Sequence, residues 1–337
     1  MERKLSPSPP LFRSSRLVFS VPGRGKILDL KPFSVPCGNL IFILGKNGAG
    51  KSTLLSVMAG HTSPDEGDLF WKDNRIKPLK DRLVKGFEGI GLVKQEPVLD
   101  PFLTVRDELE KSIRHLPEKI AAKKLNYLIK TLKLKDLLGS KNGNLSGGEK
   151  RRLGIALALA KDCELLLLDE PFADLDTENR LLLSSVFSEL KSGGSVSVVV
   201  VSHIGSAAIG LADQVWTIRN GKWIEKSKRG TGIFSPKQAL TASLMGMKNI
   251  LKKKDFPLLS CPDGTGWIQA KSEQITLIPK EQAVDLGEWK LVAAEQRDGG
   301  LTGVWKKRNR DHFLESRLEE SNEKISSGLI FRLYFNP

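Results

Sequence analysis

The chain has 337 residues, 40% of them hydrophobic and 27% charged, with a formal net charge of +14. This composition is typical of a soluble globular protein long enough for two domains. The apolar runs are strand-sized, which excludes a membrane-spanning helix of roughly 18 residues. The N-terminal sequence MERKLSPSPPLF lacks the apolar core of a secretion signal, so we expect a cytoplasmic protein.

The basic excess raises nucleic acid as a ligand, because cationic proteins attract polyanions. However, the Lys and Arg residues are spread over the whole chain, and no aromatic residues interleave with them as in an RNA-binding sheet. We therefore favour a general cationic surface, suited to nucleotides, phosphates or an anionic membrane face, and expect no specific nucleic-acid partner. Cys37, Cys163 and Cys261 have no CxxC spacing, which argues against a disulfide framework or a zinc site.

The first motif along the chain follows an apolar run, Leu40 to Leu44, that is typical of a buried parallel strand. Gly45 to Ser52 then fits G-x-x-x-x-G-K-[ST], and Thr53 to Ala59 is predicted to be the following helix. We call Gly45–Ser52 the phosphate loop. It predicts a nucleotide site made of Gly45, Lys46, Asn47, Gly48, Ala49, Gly50, Lys51, Ser52 and Thr53.

The residue types of this loop suit phosphate. Glycines let successive backbone N–H groups point at phosphate oxygens, and the helix N-terminus adds a partial positive charge. Lys51 would reach the β- and γ-phosphates, and the Ser52 hydroxyl would help to hold Mg²⁺.

A second motif, LLLLDEP, places two acids after four leucines. The leucines predict a buried strand that carries Asp169 and Glu170 to the C-terminal edge of a parallel sheet, where ligands bind in open α/β folds. Two solvated acids at a strand end would be ordinary by themselves. Beside a phosphate loop, Asp169 is expected to bind Mg²⁺ through water, and Glu170 to orient or deprotonate the water that attacks the γ-phosphate.

Together these segments resemble the ATP-binding-cassette (ABC) ATPases. LSGGEKRR, which begins at Leu145, resembles the family signature, and ADLD, Ala173 to Asp176, resembles the D-loop. Gln95 resembles the Q-loop glutamine, and His203, after the run VVVVS, resembles the switch histidine. The resemblance implies an α/β fold, a P-loop NTPase core of the ABC type with a helical subdomain.

The resemblance also implies roles for these residues. Gln95 and His203 would act with Glu170 at the γ-phosphate, and Gln95 would join Ser52 and Asp169 as a metal ligand. A lone histidine after a strand is otherwise more often a packed structural residue, but its order in the chain favours the catalytic role.

Ser146, Gly147 and Gly148, here called the signature turn, stand at a helix N-terminus and would meet the γ-phosphate held by another protomer. The chain has one phosphate loop and one signature, and no internal repeat of the cassette is visible. We therefore expect ATP and Mg²⁺ to lie between two chains, most simply in a homodimer.

The sequence departs from the family pattern at three positions. Glu149 stands where the signature usually has glutamine, and we expect little loss because glutamate suits the first turn of a helix. Val21 stands where an aromatic residue usually stacks on adenine, so we expect weak discrimination between ATP and GTP. Ile204 follows the histidine where importers usually have aspartate.

Two apolar segments lie between Gln95 and the signature. In the family, a groove there receives short helices of a membrane permease, and PVLDPFLTV supplies apolar residues suited to it. The alternative is that both segments pack on the core. The segment EKIAAKKLNYLIKTLKLKDLLG has an apolar helical face that fits either role, formed by Ile120, Leu125, Leu128, Ile129, Leu132 and Leu134.

The composition changes after Lys226. SPKQALTASLMGMKNIL is predicted to contain a capped helix, and from Trp267 onward short apolar runs between turn residues predict a small barrel. TASLMGMKNIL and WIQAKSEQITLIP resemble the transport-associated OB (TOBE) domain of importer ATPases, although its Arg-Pro pair is missing. Trp267, Trp289 and Trp305 are expected to pack in a core rather than to line a ligand site.

We therefore expect an ABC nucleotide-binding domain at residues 1–234, with a helical subdomain at about 96–145. Residues 235–337 are expected to form a small β-rich, OB-like domain with a regulatory or accessory role.

Three functions fit an ABC ATPase. The domain order favours the ATP-hydrolysing subunit of an importer, peripheral on the inner face of the plasma membrane. It would act on integral-membrane permease subunits and, indirectly, with a substrate-binding protein. The segment LMGMKNIL weakly favours an inorganic oxyanion as the substrate. A soluble ABC ATPase acting on nucleic acid or ribosomes would carry two cassettes or long insertions. An exporter's ATPase would normally lack the C-terminal barrel.

Overall fold

A computed structural model describes residues 10–78, 81, 86–194, 196–229 and 239–245, together with the C-terminal strands named below. The chain divides into two compact units, Met1–Ser235 and Pro236–Pro337. In the described part of the chain, no helix is both long and apolar enough to cross a bilayer.

The first unit contains twelve strands, six α-helices and two short 3-10 helices (Lys135–Leu137 and Asn142–Asn144) among its described residues. The strands are β1 (Phe12–Ser14), β2 (Leu17–Val21), β3 (Gly25–Leu30), β4 (Phe33–Val35), β5 (Leu40–Leu44), β6 (Leu69–Trp71), β7 (Asn74–Arg75), β8 (Ile90–Val93), β9 (Leu165–Asp169), β10 (Ser197–Ser202), β11 (Gln214–Arg219) and β12 (Lys222–Lys228). The helices are α1 (Lys51–Met58), α2 (Val105–Ile113), α3 (Glu118–Thr131), α4 (Gly147–Ala160), α5 (Thr177–Ser192) and α6 (Ser206–Leu211).

The central sheet has six strands in the order β12-β11-β5-β10-β9-β8. The five strands from β11 to β8 are parallel, and β12 runs antiparallel at one edge. All five residues of β5 are buried, as are Leu165 to Leu168 of β9. Such continuous apolar runs are expected of parallel strands covered on both faces. The strand predicted at Leu40–Leu44 is therefore confirmed.

Two smaller antiparallel sheets cover the start of the unit, one in the order β4-β1-β6-β7 and the other the hairpin of β2 and β3. Their inward side chains join β5, α1 and β9 in one apolar core, which includes Phe12, Leu28 and Leu54. The predicted helix after the phosphate loop is confirmed as α1, but it begins at Lys51 because Gly50 is its N-cap.

The predicted helical subdomain holds α2 and α3, which both pack against α4. Helix α2 begins with a capping box, in which the Thr104 hydroxyl accepts from the Asp107 N–H and the Asp107 carboxylate accepts from the Thr104 N–H. The apolar face predicted for α3 is only partly correct. Leu128, Leu132 and Leu134 are fully buried, whereas Ile120 in the first turn is 54% exposed.

The described strands of the second unit form two antiparallel sheets. They are β13 (Ile250–Lys252), β14 (Trp267–Gln269), β15 (Ile275–Thr276), β16 (Val284–Arg297), β17 (Gly300–Lys307), β18 (Phe313–Leu318) and β19 (Ile330–Phe335). Helix α7 (Ala239–Leu244) lies within the predicted helical segment. Five of the strands pair in the order β15-β19-β16-β17-β18. The OB-like, TOBE-like identity of this unit stays a prediction.

Candidate functional site

The predicted chemistry gathers at one edge of the central sheet. The phosphate loop follows β5, the Gln95 region follows β8, Asp169 ends β9, and His203 follows β10. Since these four strands are parallel, their carboxyl ends meet at the same edge. The hydrogen bonds described below join three of the four segments.

The backbone of the phosphate loop is fixed by its glycines. Gly45 is buried and donates its N–H to the Ser202 carbonyl at 3.2 Å, which ties the loop to β10. A Cβ atom on Gly45 would lie 2.6 Å from the Ile218 carbonyl oxygen. Gly50 has a φ of 98°, and a Cβ there would lie 2.7 Å from Leu28 Cδ2. The loop therefore requires glycine at both ends, while Lys46, Asn47 and Gly48 at its crown are exposed.

The Lys51 ammonium lies beneath this crown and is 6% exposed. Its Nζ donates to the Gly45 carbonyl at 2.9 Å and to the Lys46 carbonyl at 3.3 Å. It also lies 3.4 Å from Glu170 Oε1. A buried ammonium needs such partners because an unpaired buried charge is costly. The positive charge is thereby held at the loop, where phosphate oxygens would bind.

Ser52 and Asp169 form an oxygen pair beside the loop. The Ser52 hydroxyl donates to Asp169 Oδ1 at 3.1 Å. Burial raises the pKa of Asp169, and the Ser52 hydrogen bond opposes this by stabilising the charged form. These are hard oxygen donors of the kind that Mg²⁺ takes from proteins together with water and phosphate. Among the described residues, no three His, Cys, Asp or Glu side chains cluster as a complete metal cage. The pair therefore fits Mg²⁺ held jointly with a nucleotide.

Glu170 and His203 are joined directly. Glu170 Oε2 accepts from the His203 backbone N–H at 3.2 Å and lies 3.0 Å from His203 Nδ1. The contact joins a carboxylate oxygen to a ring nitrogen, so it holds the His203 imidazole beside Glu170. Glu170 is 8% exposed and has a φ of 47°, a left-handed conformation that non-glycine residues rarely adopt. The His203 side chain is 40% exposed, so it is not simply packed in the core.

Gln95 lines an open cavity of about 660 Å³ with Ser52, Thr53 and Asp169. Phe19 of β2 lines the same cavity, which the sequence reasoning did not anticipate. Phe19 lies two residues before Val21 on β2, in the stretch LVFSV where the sequence analysis considered Val21 alone. The adenine-facing position of Val21 stays a prediction.

The signature turn begins α4. Ser146 is the N-cap: its hydroxyl accepts from the Glu149 N–H at 3.4 Å, and Glu149 Oε2 accepts from the Ser146 N–H at 2.8 Å. The departure at Glu149 leaves this capping box intact, because its carboxylate accepts from a backbone donor at the helix start as a glutamine oxygen would. Ser146 and Gly147 are exposed, and in the part of the chain that the structure describes no hydrogen bond joins them to the phosphate loop. Within one chain, the turn and the loop are thus separate elements.

The family pattern described as ABC transporter matches residues 29–173. The "Probable sulfate/thiosulfate import ATP-binding protein CysA" of Chlorella vulgaris is 35% identical over 67% of this chain and 95% of its own length. The molybdate/tungstate import ATP-binding protein WtpC of Thermococcus kodakarensis is 33% identical over 65% of this chain and 66% of its own. The glucose import ATP-binding protein GlcV of Saccharolobus solfataricus is 32% identical over 68% and 67%.

Solved structures share the fold. CbiO1 of Clostridium perfringens, described as part of an ABC transporter complex, has a TM-score of 0.58 at 24% identity and covers 64% of this chain and 88% of its own. A nucleotide-free ATP-binding cassette from an ABC transporter has a TM-score of 0.56 at 25% identity and covers 66% and 93%. These likenesses confirm the predicted α/β P-loop fold of the ABC type. The family pattern and the relative from Chlorella vulgaris, which is matched over 95% of its length, show that the chain belongs to the ATP-binding proteins of the ABC transporter family.

Proposed function

We propose that this chain is the ATP-hydrolysing subunit of an ABC importer. It would work as a dimer on a separate membrane permease. The observation that supports the ATPase most directly is the junction of Lys51, Glu170 and His203 at one sheet edge, beside the Ser52–Asp169 pair. The import role is supported by the names of the relatives.

The chain's own residues suggest how ATP is cleaved. The backbone N–H groups of the phosphate loop and the Lys51 ammonium bind and orient the β- and γ-phosphates. Glu170, held by His203, orients the attacking water and accepts its proton as the new P–O bond forms and the bond to the ADP oxygen breaks. The site fits Mg²⁺, which Ser52 and Asp169, with Gln95 as the proposed third ligand, would hold. When bound, that ion would neutralise charge on the phosphate oxygens.

The pairing with a second copy is supported by the separation of loop and signature turn within one chain. The exposed Ser146 hydroxyl stands at the start of α4, where the Glu149 carboxylate already accepts from the Ser146 N–H and the helix N-terminus still favours further negative charge. A γ-phosphate held by the partner's Lys51 would supply that charge. Closure around ATP would then move the attached permease, and hydrolysis would reopen the dimer.

The permease contact is supported by apolar side chains that follow Gln95. Val98 is 93% exposed and Phe102 is 82% exposed, and a cavity of about 920 Å³ lies beside them, lined by Pro97, Val98 and Leu99. Apolar side chains that are exposed in this way are typical of a surface that binds another protein. A short permease helix would cover them, with the chain peripheral on the inner face of the membrane. Because the relatives' names include sulfate and molybdate, we propose an inorganic oxyanion as substrate, selected by the permease and its binding protein.

The test uses Glu170→Gln protein, in which the amide cannot accept the water proton. We expect ATP hydrolysis to fall at least a hundredfold, ATP to stay bound, and the protein to elute as a dimer with ATP. Used as bait with ATP on detergent-solubilised membranes of the source cell, it should retain a polytopic permease. Lys51→Ala protein, which should not bind ATP, is the matched control.

Hydrolysis at the wild-type rate would remove Glu170 from the mechanism. Recovery of ribosomes or nucleic acid without a membrane protein would overturn the importer proposal.

A further inference from the structure

Helix α4 carries two adjacent arginines that are both buried. Arg151 is 7% exposed and Arg152 is 9% exposed. Arginine is rarely buried unless its charge is paired or its N–H groups are bonded, because removing a guanidinium from water is costly. Burial lowers the pKa of both side chains, which expresses that cost. The two positions therefore need partners, and their partners differ.

Arg151 bonds two segments that lie far apart in the sequence. Its Nε donates to the Gln95 carbonyl at 3.4 Å, and its Nη1 donates to the Ala173 carbonyl. The first carbonyl belongs to the segment after β8, and the second to the D-loop segment Ala173–Asp176 that follows Glu170. The carboxylates of Glu96 and Asp174, next to those carbonyls, favour the charged guanidinium. One side chain thus bonds both the backbone of a proposed metal ligand, Gln95, and the segment that follows the proposed catalytic base, Glu170.

The same face of α4 touches these segments on either side of Arg151. A Cβ atom on Gly148 would lie 3.1 Å from Leu175 Cδ2, and one on Gly154 would lie 2.8 Å from Pro97 Cγ. Positions 148, 151 and 154 are three residues apart, so they form one row along the helix. The absence of side chains at both glycines lets the helix approach closely enough for the guanidinium to reach both carbonyls.

Arg152 faces another direction. Its Nη1 donates to the Lys133 carbonyl at 3.3 Å, in the turn after α3, and its Nε has no hydrogen-bond partner among the described residues. Arg152 therefore fastens α4 to the helical subdomain, and although the Glu149 carboxylate favours its charged form, no hydrogen bond of the described residues joins it to the Gln95 segment or the D-loop. The two arginines have similar burial but different connections.

We propose that Arg151 is a positioning residue that sets where the signature turn stands relative to the Gln95 segment and the D-loop. Ser146 lies five residues earlier on the same helix, about 7.5 Å along its axis. A shift of either carbonyl is passed through the planar guanidinium to the rigid helix and displaces its N-terminus. The anion site offered to a partner's nucleotide then depends on the state of the chain's own site. This inference rests on the proposed function, because the position of the signature turn affects turnover only if the phosphate loop and the signature turn both bind ATP.

Lysine cannot replace the arginine in this role. Its single ammonium cannot span two carbonyls with the fixed fork of a guanidinium, although it keeps the charge. Arg151→Lys therefore separates the positioning role from the charge, and Arg151→Met supplies a second variant that keeps the length of the buried stem. Arg152→Lys is the matched control, with the same chemical change at the next residue of the helix.

The experiment measures kcat and KM for ATP, thermal midpoint, and hydrogen exchange in these variants. Because Arg151 makes no hydrogen bond to the phosphate loop among the described residues, we expect KM to change less than about twofold. A displaced signature turn should lower kcat in Arg151→Lys at least tenfold, since misplacement by about 1 Å can cost two orders of magnitude. Amide exchange should rise in residues 95–99 and 173–176. Arg152→Lys should lower the thermal midpoint at least as much as Arg151→Lys does. Its kcat should nevertheless stay within about threefold of the wild-type value.

Two results would overturn the inference while ATPase activity itself stands. One is a kcat in Arg151→Lys and Arg151→Met within twofold of wild type. The other is an equal loss of kcat in Arg152→Lys, which would reduce Arg151 to a stabilising contact. Failure of the proposed function is distinguishable, because wild-type protein would then show no turnover that Lys51→Ala abolishes.

Discussion

Ser146 serves two purposes in our account, as a helix cap and as a phosphate contact, and a matched pair of variants separates them. The chain has a second capping box at Thr104, on α2. An N-cap hydroxyl contributes about 1 kcal/mol to stability, within a range of 0.5–2. The Ser146 hydroxyl accepts at 3.4 Å and the Thr104 hydroxyl at 3.2 Å, and both residues lie at exposed or half-buried helix starts. We therefore expect Ser146→Ala to cost about 0.5–1 kcal/mol, and Thr104→Ala to cost at least as much.

In a unit of this length, 1 kcal/mol lowers the thermal midpoint by about 2–4 °C. Both variants should show that shift in a calorimetric scan. Turnover should differ sharply, because in the proposed dimer the Ser146 hydroxyl would also meet the γ-phosphate held by the partner chain. Loss of one donor at a developing charge typically costs about 10²–10³ in kcat. An exposed hydroxyl should lie below that range, so we expect about a tenfold to hundredfold loss in Ser146→Ala and less than twofold in Thr104→Ala.

Ser146→Gly sharpens the comparison, because glycine at an N-cap costs only a few tenths of a kcal/mol relative to serine. Its thermal midpoint should stay close to wild type while its turnover falls with that of Ser146→Ala. Equal turnover in Ser146→Ala and Thr104→Ala would refute the reasoning, since Ser146 would then be a cap and nothing more.

Three further changes test the site. Lys51→Ala should abolish ATP binding in an equilibrium assay, and wild-type-like ATPase activity would remove the phosphate loop from the mechanism. Asp169→Asn should raise the thermal midpoint measured without nucleotide, because burial raises the pKa of Asp169 and its charged form is disfavoured in the fold at neutral pH. Mg²⁺-dependent turnover should be lost in the same variant. A lowered midpoint would contradict this prediction. Gly50→Ala should destabilise by about 1–3 kcal/mol through its positive φ and the contact with Leu28, whereas Gly48→Ala, with open space around it, should cost less in the same urea titration.

The sequence predicted those parts of the site that depend on local pattern. The G-x-x-x-x-G-K-[ST] spacing placed Lys51 beneath the loop, and a continuous apolar run placed Asp169 at the end of a buried parallel strand. The positions of these two residues could be predicted because they follow from local backbone geometry, which a short motif nearly determines.

The parts that the sequence did not reveal depend on side chains meeting across the fold. Nothing near Arg151 in the chain signals that its guanidinium reaches the carbonyl of Gln95, 56 residues away. Phe19 lines the cavity because the small sheets, which contain its strand, lie against α1. Within its own strand Phe19 is only one apolar residue among others, so the sequence does not mark it as a site residue. Ile120 in the first turn of α3 is exposed whereas Leu128 near its end is buried, so the apolar periodicity overestimated the buried face of this helix.

The site draws on β5, β8, β9 and β10, which span most of the first unit in sequence but lie side by side in one sheet. A partly folded chain that lacks any one of these strands has no complete nucleotide site. ATP therefore binds the finished sheet and not its fragments, and ligand at a hundred times its dissociation constant adds about 2.7 kcal/mol to the free energy of unfolding. Bound ATP would in this way also stabilise correctly folded copies of the chain against unfolding.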